Sequence, residues 1–323
     1  MHDAMSMTPE KKIKTYSRCI VFLTLTGIIA LSVGCKKSEQ AGAGPKTFVS
    51  QEDASKAVYD AAKAGDSNAL LMIFGPDSKD LLFSGDAAQD QAALSKFTAS
   101  YDQMHRWEGL QGGGLVLDVG PENYPFPFAL VKNSSGQWYF DSNSAKEEIL
   151  ARRIGGNELA AIDVLYAMVD AQAEYHSQTR DGNTVQEFAQ KFISDEGKQN
   201  GLYWKPVDNQ PESPLGPLAA YAGAEGYTDK TQPAKPFHGY FYRIITKQGG
   251  QAQGGAQDYI VNGNMTAGFA ILAYPAEYRN SGVMSLLINQ DGAVVQKDLG
   301  EKTEDIAKTI TEFNPDDTWK PVE

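Results

Sequence analysis

Cysteine is almost absent from this chain. Its 323 residues hold two, Cys19 and Cys35. Cys19 sits inside an apolar run, so a chain processed at Cys35 keeps one thiol, which excludes an internal disulfide or a Cys-based metal site. Basic charge is also scarce. There are 29 Lys and Arg against 41 Asp and Glu, a net charge of −12. A protein that grips nucleic-acid backbones needs a surplus of basic charge, so no nucleic-acid partner is expected. Catalytic signatures are missing as well: G-x-S-x-G, H-E-x-x-H, G-x-x-x-x-G-K-[ST] and C-x-x-C do not occur. His2, His105, His176 and His238 are the only histidines, and none has a second three or four residues away. No cofactor, metal or catalytic residue is expected, and the chain reads as non-enzymatic. INQDG at 288–292 lacks the remaining ligands of a calcium loop and reads as a turn.

What is present is globular composition: 41% hydrophobic, 22% charged and 10% aromatic residues. That supplies a real core and excludes a collagen-like, coiled-coil or wholly disordered chain. The length predicts two domains.

Lys11, Lys12, Lys14 and Arg18 precede the apolar run 19–33, CIVFLTLTGIIALSV. The run is shorter than the about 20 residues of a membrane span, and basic flank, apolar core and small terminal residues are the layout of a secretory signal. LSVGC at 31–35 resembles the bacterial lipobox, with Gly34 before Cys35 and with Ser32 where Leu is usual. The resemblance implies cleavage after residue 34, lipid attachment at Cys35 and anchoring in a membrane. No Asp follows Cys35, which by the same resemblance favours the outer membrane and a periplasm-facing lipoprotein. Residues 35–46 are then the lipidated Cys and a flexible tether.

Residues 47–150 read as helices followed by a sheet. Ser50 and Asp66 are candidate helix caps, and 90–106 has helical spacing through Leu94, Phe97, Tyr101 and Met104. Period-2 strands follow at 115–119, 127–132 and 138–142, the last two joined by the loop Asn133–Gly136. This order resembles the cystatin-like cone of nuclear transport factor two relatives. Such a cone can carry a pocket.

Residues 151–323 begin with a helix at 157–175, capped by Asn157 after a break at Gly155-Gly156, with Leu159, Ile162, Tyr166, Val169 and Ala173 as its inward face. Asp163, Asp170 and Glu174 fall on the polar side. A short helix is predicted at 184–194. Residues 205–236, holding Pro206, Pro211, Pro214, Pro217, Pro233 and Pro236, read as irregular. Strands are predicted at 239–248, 257–263, 267–275, 282–290 and 293–299, with hairpin turns at Asn262-Gly263 and Asp291-Gly292. The segments NELAAIDVLYAMVDAQAEY, HGYFYRIIT and FAILAYPAEYRNSGVMSLLINQDGAVVQKDLG resemble the head of type IV pilins and pseudopilins. Filament assembly does not carry over, because the matching helix lies mid-chain.

Over about 46–320 the stretches TFVSQEDASKAVYDAAKAGD, IFGPDSKDLL, YDQMHRWE and YIVNGNMTAGFAILAYPAEYRNSGVMSLLINQDGAVVQKDLG resemble domain of unknown function 2950, a family of bacterial envelope proteins. That resemblance implies a two-part α+β envelope protein and no known reaction. The expected function is binding or scaffolding among envelope proteins. The alternative is a small-ligand binder or hydrolase using a pocket in 47–150. Of the aromatics Phe237, Tyr240, Phe241, Tyr242, Tyr259, Phe269, Tyr274 and Tyr278, alternation puts half in the core. Asn262, Tyr274, Arg279 and Asn280, at turns and strand ends, are the candidate recognition surface.

Overall fold

The computed structural model describes residues 44–207, 211–224 and 235–322. Cys35, the signal 1–34 and most of the tether lie outside the described residues. The architecture is α+β, with helices ahead of antiparallel sheets.

The first half opens with four helices: α1 (Gln51–Ala64), α2 (Ser67–Phe74), α3 (Lys79–Leu82) and α4 (Ala87–Gln103). The Ser50 hydroxyl accepts from the Asp53 N–H at 3.1 Å, and the Asp66 carboxylate accepts from the Ala69 N–H at 3.0 Å. Each satisfies a donor that the first helical turn leaves without a partner. α4 ends at Gln103, three residues before the predicted limit. His105 opens a strand instead, its ring stacked 3.8 Å from that of Tyr101. The strands are β1 (His105–Gly109), β2 (Leu115–Val119), β3 (Tyr124–Pro125), β4 (Ala129–Lys132) and β5 (Trp138–Asp141). Their order is β1-β2-β4-β5, with β3 beside β2. Phe48 exchanges backbone hydrogen bonds with Trp138 and extends the β5 edge. Phe74 of α2 packs against Phe128 and Phe140, with ring centroids 4.2 and 5.1 Å away, and Phe126 closes the cluster. Aromatic rings at these separations favour tilted contacts, and they fill the space between helices and sheet.

α5 (Ser142–His176) departs most from the sequence pattern. It runs unbroken through Gly155-Gly156, and the boundary expected at 150/151 falls inside it. Two glycines cost a helix about 2 kcal/mol together. Packing on both sides offsets this: Ala145 and Ile149 enter the first core, and Ala161, Val164, Leu165, Met168 and Tyr175 enter a second. The predicted inward face is also corrected. Leu159 is 68% exposed and Tyr166 46% exposed, while Asn157 and Gln172 are buried. The helix carries two apolar stripes, and the buried one is interrupted by polar residues that read as solvent-facing.

Gln172 explains a further difference. Its side chain accepts from the Ala189 N–H at 2.8 Å and donates to the Ala189 carbonyl at 2.9 Å. That supplies the partners a helix would have provided, and 184–194 is extended rather than helical, with Phe188 bridged to Met265. In the proline-rich segment, α6 (Gly216–Ala224) forms where irregular chain was predicted.

The second sheet holds β6 (Tyr240–Ile245), β11 (Ala270–Pro275), β12 (Met284–Asn289), β13 (Val295–Asp298) and β14 (Lys320–Pro321), in the order β14-β13-β12-β11-β6. Two small hairpins intervene: β7 (Lys247–Gln248) with β8 (Gln257–Asp258), and β9 (Ile260–Val261) with β10 (Asn264–Met265). Asn262 and Gly263 have φ of +52° and +86°, the left-handed pair that a two-residue hairpin requires. At Asp291-Gly292 only Gly292 is left-handed, at +77°. The Asn289 side chain accepts from the Asp291 N–H at 3.1 Å, and this local ring replaces the tight two-residue turn. β11 and β12 are buried almost throughout. α5 packs on both, and α7 (Thr303–Thr309) packs on β11. Arg243 of β6 donates to the carbonyls of Ala307 and Ile310 at 2.5 and 2.7 Å, placing a cation at the negative end of α7.

Candidate functional site

The four candidate recognition residues do not form one surface. Asn262 lies in the β9–β10 turn, ahead of β11, and Arg279 and Asn280 lie beyond its far end. A six-residue strand separates such positions by about 20 Å. Tyr274 is half-buried within β11, its ring 5.6 Å from that of Phe241. Arg279 is exposed, its guanidinium over the ring of Tyr278. Asn280 is committed internally: it accepts from Arg153 and donates to Glu277 at 2.7 Å.

Asn280 belongs to a polar junction that joins α5 to the loop 276–283. Arg153 also donates to the carbonyls of Leu81 and Asp80, at 2.6 and 2.9 Å. Burial pulls its guanidinium pKa down, and the carboxylates of Asp90, Glu277 and Asp80 oppose that pull. Burial likewise raises the pKa of Asp90, against hydrogen bonds from the Ser84 N–H and hydroxyl. Asn157, 1% exposed, accepts from Gln89 at 2.5 Å and donates to the Ser281 carbonyl at 2.7 Å. The Glu158 carboxylate accepts from the N–H groups of Val283 and Met284, both at 3.0 Å. Tyr240 donates to the Met284 carbonyl at 2.8 Å, and burial raises its phenol pKa. Gly282 packs so closely on Tyr240 that a Cβ there would overlap the phenol. The N-E, G-Y and S-G-V segments therefore converge on one place, where they serve packing. Apart from the Gln89 Oε1, which is buried without a partner, the polar groups named here are matched, and buried groups so matched rigidify a structure and offer a ligand little.

The second half also holds an open cleft of about 590 Å³. Its lining includes Phe192, Tyr203, Trp204, Leu215, Leu218 and Phe237, with Asp195, Lys198, Gln199 and Lys205 among its polar members. Two extended arms build it: the Tyr203 N–H donates to the Phe192 carbonyl at 2.7 Å, and the Ser194 N–H to the Tyr203 carbonyl at 2.8 Å. The Leu215 N–H donates to the Leu202 carbonyl at 2.9 Å and brings the start of α6 alongside. The Trp204 indole donates to the Pro211 carbonyl at 3.0 Å, and the Arg180 guanidinium covers both Trp204 and Tyr175. Asp195 accepts from Asn200 and Lys191, which together hold its pKa below the usual carboxylate value. Volume, aromatic lining and few polar groups are the features of small-molecule sites.

Of these cleft residues only Phe237 was singled out from sequence, as the first of the aromatic group that runs on through Tyr278. The available signal was the aromatic pair Tyr203-Trp204 ahead of the proline-rich segment. The histidines do not gather at one place. His176 stacks on Phe188 at 4.4 Å, and His238 lies 4.3 Å from the ring of Phe237. Among the described residues, no group of three or more His, Cys, Asp or Glu side chains is placed to hold a metal ion. No helix among them is long and apolar enough to cross a membrane. Asp163, Asp170 and Glu174 are exposed on α5.

The family model described as protein of unknown function (DUF2950) matches residues 45–322. No curated protein and no solved structure matches the chain.

Proposed function

We propose, for a chain that belongs to the DUF2950 family, a lipid-anchored envelope protein with a non-enzymatic binding role. The aromatic cleft between the 192–204 arms and α6 carries this reading, because it gathers exposed apolar and aromatic surface in a concave site. The signal-like N-terminus and the LSVGC segment support attachment through Cys35, a periplasm-facing location and the outer membrane. Other envelope components are then the partners within reach. At the finer level of fold, the first half reads as a cystatin-like cone and the second as a pilin-like head, each with its own core.

Anchoring is tested by intact mass and membrane fractionation beside Cys35→Ser. The wild type is expected to lose residues 1–34, gain the mass of acyl chains and pellet with membrane, and the variant to do none of these. An unlipidated wild type sinks the anchored reading. Binding in the cleft is tested with an anilinonaphthalene sulfonate dye, whose fluorescence should rise on the wild type and fall back in Val207→Asp, a change at an exposed residue of the cleft lining. Equal fluorescence from both removes the cleft as the site.

A second reading keeps a small ligand or an unrecognised hydrolase, placed in a pocket of the first half. Phe74, Phe126, Phe128 and Phe140 occupy the space between helices and sheet there, which favours the second-half cleft for a small ligand as well.

A further inference from the structure

We infer that the outward face of α5 is a docking seam for a basic amphipathic helix of another protein. The inference does not rest on the cleft. Leu159, Ile162, Tyr166, Val169 and Ala173 are spaced by three, four, three and four residues. This is the a/d series of two heptads, the pattern that seats one helix against another. It runs for about 21 Å along the axis. Leu159 and Tyr166 are largely exposed, and Ile162 and Val169 are half-buried. Ile162 and Val169 lean partly on the second core, and packing within the chain calls for no more of the stripe, because α5 already turns Ala161, Val164, Leu165 and Met168 into that core. Single exposed apolar side chains are ordinary, whereas Leu159 and Tyr166, one heptad apart and bordered by the half-buried Ile162 and Val169, make a continuous apolar strip that reads as an interaction surface.

Charge selects the occupant. Asp163 and Asp170, both exposed, occupy the e positions beside the seam, and Glu174 lies further round. Between Arg153 and Arg180 the helix has no Lys or Arg. A second copy would bring e-position carboxylates against carboxylates in an antiparallel pair, or against Glu158 in a parallel one. An anionic lipid surface is disfavoured by the same acids, since helices that lie on such surfaces carry Lys and Arg. A helix with apolar a and d positions and Lys or Arg at its flanks satisfies both apolar stripe and acids. At the N-terminal end of the seam, Leu159 and Ile162 border an open recess of about 430 Å³ lined also by Leu286, Pro321 and Val322, with Glu158 and Lys320 as its charged members. That recess has room for an anchoring side chain of the partner.

The probes are two synthetic three-heptad peptides with Leu at a and Ile at d, one with Lys and one with Glu at e and g. Fluorescence anisotropy of each is measured against the purified full chain. The Lys peptide should bind at least roughly tenfold more tightly than the Glu peptide, a difference of about 1.4 kcal/mol. Tyr166→Asp should weaken it by roughly tenfold or more, a size typical of a central aromatic anchor. The double change Asp163→Lys with Asp170→Lys should reverse the preference, and Val207→Asp should leave it unchanged. All of these positions are exposed, and circular dichroism checks that each variant is folded. Failure of the Lys peptide to bind, equal binding of both peptides, or indifference to Tyr166→Asp overturns the inference. So does self-association at rising concentration that Tyr166→Asp abolishes, which assigns the seam to a second copy. Flotation with phosphatidylglycerol vesicles that Tyr166→Asp abolishes assigns it to a membrane and overturns it equally.

Discussion

The junction around Asn157, which ties α3 and α4 of the first half to the second, and the cleft around Trp204, which lies in the second half alone, are built on opposite plans. In the junction, Asn157, Glu158, Tyr240 and Arg153 are each matched to named partners, and Gly282 permits van der Waals contact with a phenol. In the cleft, aromatic and aliphatic side chains face open volume, and the nearby polar groups are largely spent on their own segment. The junction owns the most conspicuous sequence segments, and of the residues that stood out in the sequence the cleft owns only Phe237. Conspicuous spacing in this chain marks where backbone and side chain must fit each other. The surface left free for a ligand is assembled from residues with no such constraint.

Three substitutions sharpen that contrast. Gly282→Ala should have the largest effect on stability, about 3 kcal/mol, because the new methyl meets a phenol held in place by the Met284 carbonyl. Thermal unfolding should show a lower Tm with dye binding retained at low temperature. A Tm equal to wild type would mean the loop 281–284 yields easily, and the junction would not be the rigid element described. Asn157→Ala should cost less, about 2 kcal/mol, by leaving the Ser281 carbonyl and the Gln89 amide without their partner. The check is urea unfolding, where the midpoint should move and the slope should not. Val207→Asp should be smallest, within about 0.5 kcal/mol, since Val207 is 56% exposed. Its effect should appear in dye binding alone, and a large loss of stability would place Val207 with the packing residues.

Local rules were legible in the sequence wherever the chain satisfies itself locally. Ser50 and Asp66 cap the helices they precede, and Asn262-Gly263 makes the hairpin turn its two residues favour. Expectations failed where a distant side chain intervened. Gln172 captures Ala189 and prevents a helix that local pattern favours. Asn157 and Gln172 sit on the buried stripe of α5, so polarity pointed to the wrong face. The candidate site was largely illegible for a related reason. The cleft needs the 192–194 arm, the 202–204 arm and the start of α6 side by side, and only backbone hydrogen bonds between those segments define it.

α5 has a consequence for how such a chain can change over generations. One helix of about 52 Å supplies faces to both cores. Inserting or deleting a single residue between Ile149 and Ala161 turns everything downstream by about 100° relative to everything upstream. One core would then meet the wrong stripe. Recombination inside this stretch is viable only if it keeps both length and phase.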